Sequence, residues 1–254
     1  MRADSRFNQN LCVVLVRTRN PLNIGAVARA MANFGSSQLR LVAPYDLAFR
    51  EARSAVGAGE LLARAEVCRS VAEAVADCTL VIGTTAATNR SASVPLVTLP
   101  EAAPQIVDAA AMGKVALLFG SEKRGLANQD MSYCHWLTRI PTTEQSPSMN
   151  LAQSAVVVLY ELARTWKQRT TTADSEAIPA ADAPARMQSL LRLAEVMHET
   201  LESCGYYSEA AAASSEEQLR RLLVGMKLTE PDSAILLGMF RQILWKLSAI
   251  QKKD

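Results

Sequence analysis

Between residues 11 and 165 the sequence alternates short, almost wholly apolar runs with segments of helical periodicity, and few folds accept that rhythm. The runs Leu11–Val16, Leu39–Ala43, Thr79–Thr84, Val115–Phe119 and Leu137–Ile140 are rich in Val, Ile and Leu and short enough to be strands. Helical patterns fall between and after them, over about 23–34, 59–76, 99–112 and 148–168. Strands without polar alternation are buried on both faces, so the pattern predicts an α/β fold with a parallel sheet covered by helices on either side. Aromatic residues make up only 5% of the chain, which favours aliphatic α/β packing over a β-sandwich.

Ligands of such folds bind beyond the carboxyl ends of the strands, so the residues that leave each strand carry the functional information. The first exit reads NPLNIGAVARAMANFG (residues 20–35), which places Asn23 and Arg29 on a helix of small residues. Arg29 stands among alanines, where packing would favour Leu or Ile. A guanidinium there either lies on a solvated helix face or holds a phosphate or carboxylate. The third strand leaves through Gly83-Thr-Thr-Ala-Ala87. The fourth leaves through FGSEKRGL (residues 119–126), where Gly120 allows close approach of a ligand, unless the segment is only a connecting loop. No Gly-Lys-Ser/Thr follows, so this is not a P-loop, and Gly57-Ala-Gly59 is not a dinucleotide fingerprint. Last comes IPTTEQSPSMNLAQS (residues 140–154), a proline-bracketed polar loop. A helix is expected to open at Ser148, with Asn150 in its first turn. That is either a plain capped helix or a helix N-terminus offered to a ligand.

Other classes are excluded more simply. Five cysteines, odd in number and scattered without paired spacing, read as reduced thiols of a cytosolic protein. No zinc pattern is present and the two histidines lie far apart, so no metal is expected. The N-terminus has no apolar signal core and no apolar run is long enough to cross a bilayer, so no membrane partner is expected. A net charge of +2 does not announce a nucleic-acid binder by itself, although a local basic patch is compatible with it.

A Thr/Ala/Asp/Pro-rich stretch at 170–184 has linker composition and separates residues 1–169 from a helical region at 185–254. Helices are expected there at about 185–204, 214–226 and 231–251. The last begins behind a Thr229 cap with Pro231 in its first turn. Its stripe Ile235/Leu236/Met239/Phe240/Ile243/Leu244/Leu247 is expected to be the core of a three-helix module.

Taken together, the three polar exits resemble the three motifs of the SPOUT methyltransferases, in the branch that methylates ribose 2′-hydroxyls of RNA. The resemblance is greatest to the TrmJ group of tRNA cytidine/uridine-2′-O-methyltransferases. Motif one is matched by NPLNIGAVARAMANFG, motif two by LLFGSEKRGL and motif three by IPTTEQSPSMNLAQSAVVVLYEL. The resemblance implies a SPOUT-type parallel sheet with a C-terminal trefoil knot, plus a small all-helical C-terminal extension. It also implies a cytoplasmic homodimer with the active site at the subunit interface, and S-adenosyl-L-methionine as cofactor. By motif, cofactor contacts fall on Thr84, Thr85, Ala86, Gly120, Ile140, Ser148, Met149 and Asn150. The catalytic set falls on Asn23, Arg29, Glu122, Ser148 and Asn150. The implied substrate is a pyrimidine ribose at position 32 in the anticodon loop of tRNA. The alternatives are another tRNA or rRNA ribose, or a catalytically silent RNA-binding paralogue. A Rossmann-type nucleotide enzyme is disfavoured by the lack of a glycine fingerprint. The chain departs from the family pattern at Ser121, where arginine is more common, at Ser146, which replaces an aromatic, and in the spacing of Arg90.

Overall fold

The structure is a computed structural model that describes residues 6–44, 57–86, 94–170, 183–207 and 212–251. Two compact units are present, one within residues 1–177 and the other within 178–254.

Among its described residues the first unit has seven strands: β1 (Leu11–Val16), β2 (Gln38–Val42), β3 (Glu66–Cys68), β4 (Leu80–Thr84), β5 (Leu96–Thr98), β6 (Val115–Phe119) and β7 (Trp136–Arg139). They form one sheet in the order β3-β2-β1-β6-β4-β7-β5, and every pairing is parallel. The apolar runs β1 and β6 are buried at every position. They lie side by side at the centre, in the register Leu11↔Val115 through Leu15↔Phe119.

Among the described residues seven helices accompany the strands: α1 (Arg6–Asn10), α2 (Pro21–Phe34), α3 (Gly59–Ala63), α4 (Val71–Val75), α5 (Leu99–Met112), α6 (Asn128–Met131) and α7 (Leu151–Thr170). Local chemistry sets their ends. The Asn20 side chain accepts from Leu22 N at the start of α2, with Pro21 at the first helical position. At α5, Thr98 and Glu101 form a capping box. One core, from Phe7 and Leu15 through Ile24 and Met31 to Ile106 and Leu162, joins α1, α2, α5 and α7 to the sheet. Phe7 stacks on Trp166 at 5.2 Å.

The expected helix over 59–76 is instead α3, strand β3 and α4. Glu66–Cys68 extends the sheet by pairing with Arg40–Val42, and Ser70 restarts a helix by accepting from Glu73 N. A three-residue edge strand between two short apolar helical stretches is too brief for periodicity to separate from them. Strand β5, which pairs with β7, was also missed, being only three residues long.

Arg40, 8% exposed, anchors this edge of the sheet. Its guanidinium donates to both Asp77 carboxylate oxygens at 2.6 and 3.0 Å, to Glu66 at 2.9 Å and to the Ala74 carbonyl at 2.9 Å. Lys114 Nζ adds a bond of 2.6 Å to Asp77. A buried guanidinium is tolerated only with such complete pairing. Hydrogen bonding to Arg40 holds the Asp77 carboxyl well below the ordinary carboxylate range against the opposing effect of burial, with Lys114 assisting.

The second unit contains α8 (Met187–Ser203), α9 (Ala212–Gly225) and α10 (Glu230–Gln251). Thr229 Oγ1 accepts from Asp232 N, as a cap should. The expected apolar stripe of α10 is only partly interior. Leu236 and Phe240 pack on the core formed by Leu193, Ala194, Leu219 and Leu223, whereas Ile235, Met239 and Ile243 are exposed. A three-helix module of this size offers one seam per helix, so a stripe wider than that seam stays outside. By length and composition alone α10 is also long and apolar enough to cross a membrane, with mean hydropathy 1.2 over Glu230–Ile250. A search for uninterrupted apolar runs overlooks it because Arg241 and Lys246 break the run.

From residue 171 to 182 the expected linker lies outside the described residues, as do Ala87 and Arg90.

Candidate active site

Four strand exits meet at one edge of the sheet. From β1 the chain turns through Arg17–Asn20 into α2, which carries Asn23 on its first turn and Arg29 on its third. The exit of β6 is a tight excursion. Gly125 N donates to the Ser121 carbonyl at 2.8 Å, and Gly125 has a φ of 64° that favours glycine. A Cβ on Gly120 would lie 2.0 Å from the Gly125 carbonyl carbon and 2.2 Å from Leu126 N. Glycine is therefore required at 120 because the loop folds back on its own backbone, a stronger reason than ligand approach.

At the tip of this excursion the Glu122 carboxylate turns back to the start of α2. It accepts from Arg19 N and Asn20 N at 3.2 Å each and from Asn23 Nδ2 at 3.0 Å. Burial raises the Glu122 pKa, but these bonds outweigh it, with Asn23 foremost, and the net shift is downward. Glu122 is thus an ionised clamp at neutral pH and a weak base.

After β7 the polar loop is closed on itself by Thr142 Oγ1 donating to the Pro147 carbonyl at 3.1 Å. Helix α7 begins at Leu151 and not at Ser148, because Asn150 is its cap: Asn150 Oδ1 accepts from Ala152 N at 2.9 Å and Gln153 N at 3.4 Å. Asparagine caps a helix at least as well as serine, and here it has a second task. Asn150 Nδ2 donates to Asn23 Oδ1 at 3.2 Å, which completes a relay Asn150–Asn23–Glu122 across all three motifs.

Beside this relay is a cavity of about 270 Å³, lined by Thr84–Ala86, by 119–126, and by residues of the β7 exit and α7. Of the residues expected at a cofactor, Thr84, Thr85, Ala86, Gly120, Ile140, Ser148 and Met149 line it, as does Glu122. Asn150 does not, since its side chain is spent on the cap and on Asn23. Arg29 is exposed on α2, apart from the cavity lining, and makes no hydrogen bond or ion pair among the described residues. Glu122 accordingly holds the entry to α2 and the Asn23 side chain, and not Arg29. Thr138, Leu126, Lys123 and Arg124 also line the cavity and were not singled out from sequence. Thr138 is 1% exposed and donates to the Val97 carbonyl; next to Arg139 in the sequence, its polarity gives no distinct signal.

A parallel sheet with a polar relay and a cleft at its carboxyl edge, built from three separated motifs, is the site arrangement of an α/β enzyme. The profile of the SpoU rRNA methylase family matches residues 10–160, and the chain belongs to that family. Among individual relatives, the tRNA (cytidine/uridine-2′-O-)-methyltransferase TrmJ of Sodalis glossinidius is 31% identical over 239 residues, 92% of this chain and 91% of the relative. The TrmJ of Salmonella typhimurium is 32% identical, over 92% of this chain and 96% of its own. Among solved structures, TrmJ from Z. mobilis superimposes with a TM-score of 0.78 at 31% identity, covering 91% of this chain and 98% of that one. A probable methylase family protein from Haemophilus influenzae gives 0.61 at 31% identity, covering 96% and 99%.

Proposed function

We propose that this chain is an S-adenosylmethionine-dependent tRNA 2′-O-methyltransferase that modifies a cytidine or uridine ribose, at position 32 of the anticodon loop. The observation that carries this reading is the relay Asn150–Asn23–Glu122 standing beside the cavity. Relatives of the same length that bear the activity in their names support it.

The cavity suits the cofactor in chemistry. Ile140, Met149, Leu126 and Val158 offer apolar walls for a purine, while threonine and serine residues and loop backbone offer polar groups at its margin. When bound, S-adenosylmethionine supplies an electrophilic methyl group. The chain supplies alignment and charge. Glu122 and Asn150 fix the first turn of α2, so that Asn23 and Arg29 have set positions when RNA arrives. The Arg29 guanidinium carries donors and no acceptor, so it offers no place for the hydroxyl proton. Its role is to bind the neighbouring phosphate and stabilise negative charge growing on the ribose 2′-oxygen, while the proton is released to water.

We further read residues 1–169 as the SPOUT domain with its trefoil knot, 170–184 as linker and 185–254 as a helical extension. The protein is read as a cytoplasmic homodimer. Exposed Leu22 on α2 and Val156 and Tyr160 on α7 support an interface there, since they leave apolar surface beside the site. We read α10 as part of the extension and not as a membrane span. It already packs through Leu236, Leu237 and Phe240, and Arg241 and Lys246 would each cost about 2.5–3.5 kcal/mol in a bilayer centre.

The test is mass-spectrometric mapping of tRNA after incubation with the protein and labelled cofactor. Methyl transfer to the position-32 ribose, lost in Arg29→Ala, is the expected result. Label at another ribose overturns the substrate assignment, and no transfer to any RNA overturns the function.

A further inference from the structure

The β1 exit is held at a cost. Arg17 has a φ of 53°, a left-handed conformation rare outside glycine, and the next residue, Thr18, is 1% exposed with its hydroxyl unpaired among the described residues. Such a backbone persists only when its surroundings over-determine it, and three restraints do so. Arg17 N donates to the Val42 carbonyl at 2.8 Å. Glu122 takes the amides of Arg19 and Asn20. Third, the Arg17 guanidinium forms a two-pronged ion pair with Asp130, of which the Nη1–Oδ1 bond is 3.1 Å.

Asp130 has the features of an anchor. Its side chain is 4% exposed, it lies on α6 directly after the motif-two excursion, and its Oδ2 also accepts from Ala127 N at 2.7 Å. Glu122 therefore grips the β1 exit from the tip of the excursion and Asp130 grips it from the base. Three residues beyond Arg17 is Asn20, the cap of the helix that presents Asn23 and Arg29.

We infer that Arg17 and Asp130 are positioning residues for methyl transfer: their ion pair fixes the β1 exit, and so the catalytic face of α2, against the motif-two loop. This rests on the functional reading given above. Neither side chain lines the cavity. The pair sets where Asn23 and Arg29 stand, and a displacement of about 1 Å at a reacting group is enough for a rate loss on the order of a hundredfold.

The test uses the full-length protein carrying Arg17→Met together with Asp130→Asn. This change leaves no buried charge unpaired and preserves an acceptor for Ala127 N. Expected are a kcat at least about tenfold lower at saturating tRNA and cofactor, KM values for both within about threefold of the parent, and little change in melting temperature. Amide exchange over residues 18–23 should quicken in the absence of any substrate. Arg17→Lys, which keeps one charge-assisted bond, should recover part of the lost kcat and remains informative if the double variant does not fold. A kcat within twofold of the parent with unchanged exchange over 18–23 would overturn the inference. So would a loss confined to the tRNA KM with a shallower salt dependence, since Arg17 would then be a phosphate contact. An inactive parent protein with quickened exchange in the variant would instead condemn the functional reading and spare the ion pair's hold on the β1 exit.

Discussion

Replacing Gly120 with alanine separates two reasons for a glycine at the head of motif two. The added Cβ would be 2.0 Å from the Gly125 carbonyl carbon, where ordinary contact begins at 3.4 Å, so the two backbone segments must part by about 1.4 Å. Neither neighbour is the end of a flexible side chain, so the strain cannot be relieved by a rotamer change. Overpacking of this kind costs about 1–3 kcal/mol, which in a chain of this size lowers the melting temperature by roughly 2–12 °C. The same displacement moves Glu122, one residue past Ser121, away from Arg19, Asn20 and Asn23. A shift of that size predicts a loss of about a hundredfold in kcat. Differential scanning fluorimetry without cofactor reads the first effect and a steady-state methylation assay reads the second. If Gly120 served only to admit a ligand, the cofactor-free melting temperature would not move. A Gly120→Ala protein that melts with the parent in the absence of cofactor refutes the self-packing argument.

Asn150→Ala removes both the α7 cap and the bond to Asn23, so stability should fall by about 1 kcal/mol and kcat by at least about tenfold, checked by urea titration and methylation assay. Asp77→Asn should destabilise by about 1–2 kcal/mol at pH 7, discounted because the carboxylate is 37% exposed. The folded pKa of Asp77 is depressed, so its contribution is complete above the unfolded carboxyl value of about 4 and declines as pH falls below it. Urea titrations from pH 7 to pH 3 should therefore show the gap between parent and variant closing in acid. Burial pushes the Cys12 thiol up to about 12 and raises those of Cys78 and Cys134, while Cys204 is exposed. A disulfide reagent at pH 8 should modify one thiol promptly, and Cys204→Ser should abolish that phase.

Most of the sheet was legible because central strands bury both faces and leave an unambiguous apolar run; β1 and β6 match their expected limits residue for residue. Edge strands give no such signal. Glu66–Cys68 has two exposed residues and was absorbed into a helix, although Ser70 and Glu73 already carried the signature of a new helix start. At the site, the motifs identified which segments converge but not which atoms meet. That Glu122 clamps backbone amides, and that Asn150 serves both as cap and as partner of Asn23, depends on side-chain reach across about a hundred residues of sequence. Asp130 was invisible for the same reason. Its partner stands at Arg17, and only the folded sheet makes the two neighbours.

The strand order also dictates a schedule for the growing chain. Val115–Phe119 sits between Leu11–Val16 and Leu80–Thr84, yet it is translated after both. At about 5–20 residues per second, the roughly 35 residues from Thr84 to Phe119 take roughly 2–7 s to emerge. During that interval two unpaired, largely apolar borders await the strand that must slot between them, a standing invitation to intermolecular pairing. Nascent copies on one polysome are thus exposed to mutual entanglement, and a holdase bound over this window should raise the soluble yield more than one recruited after release.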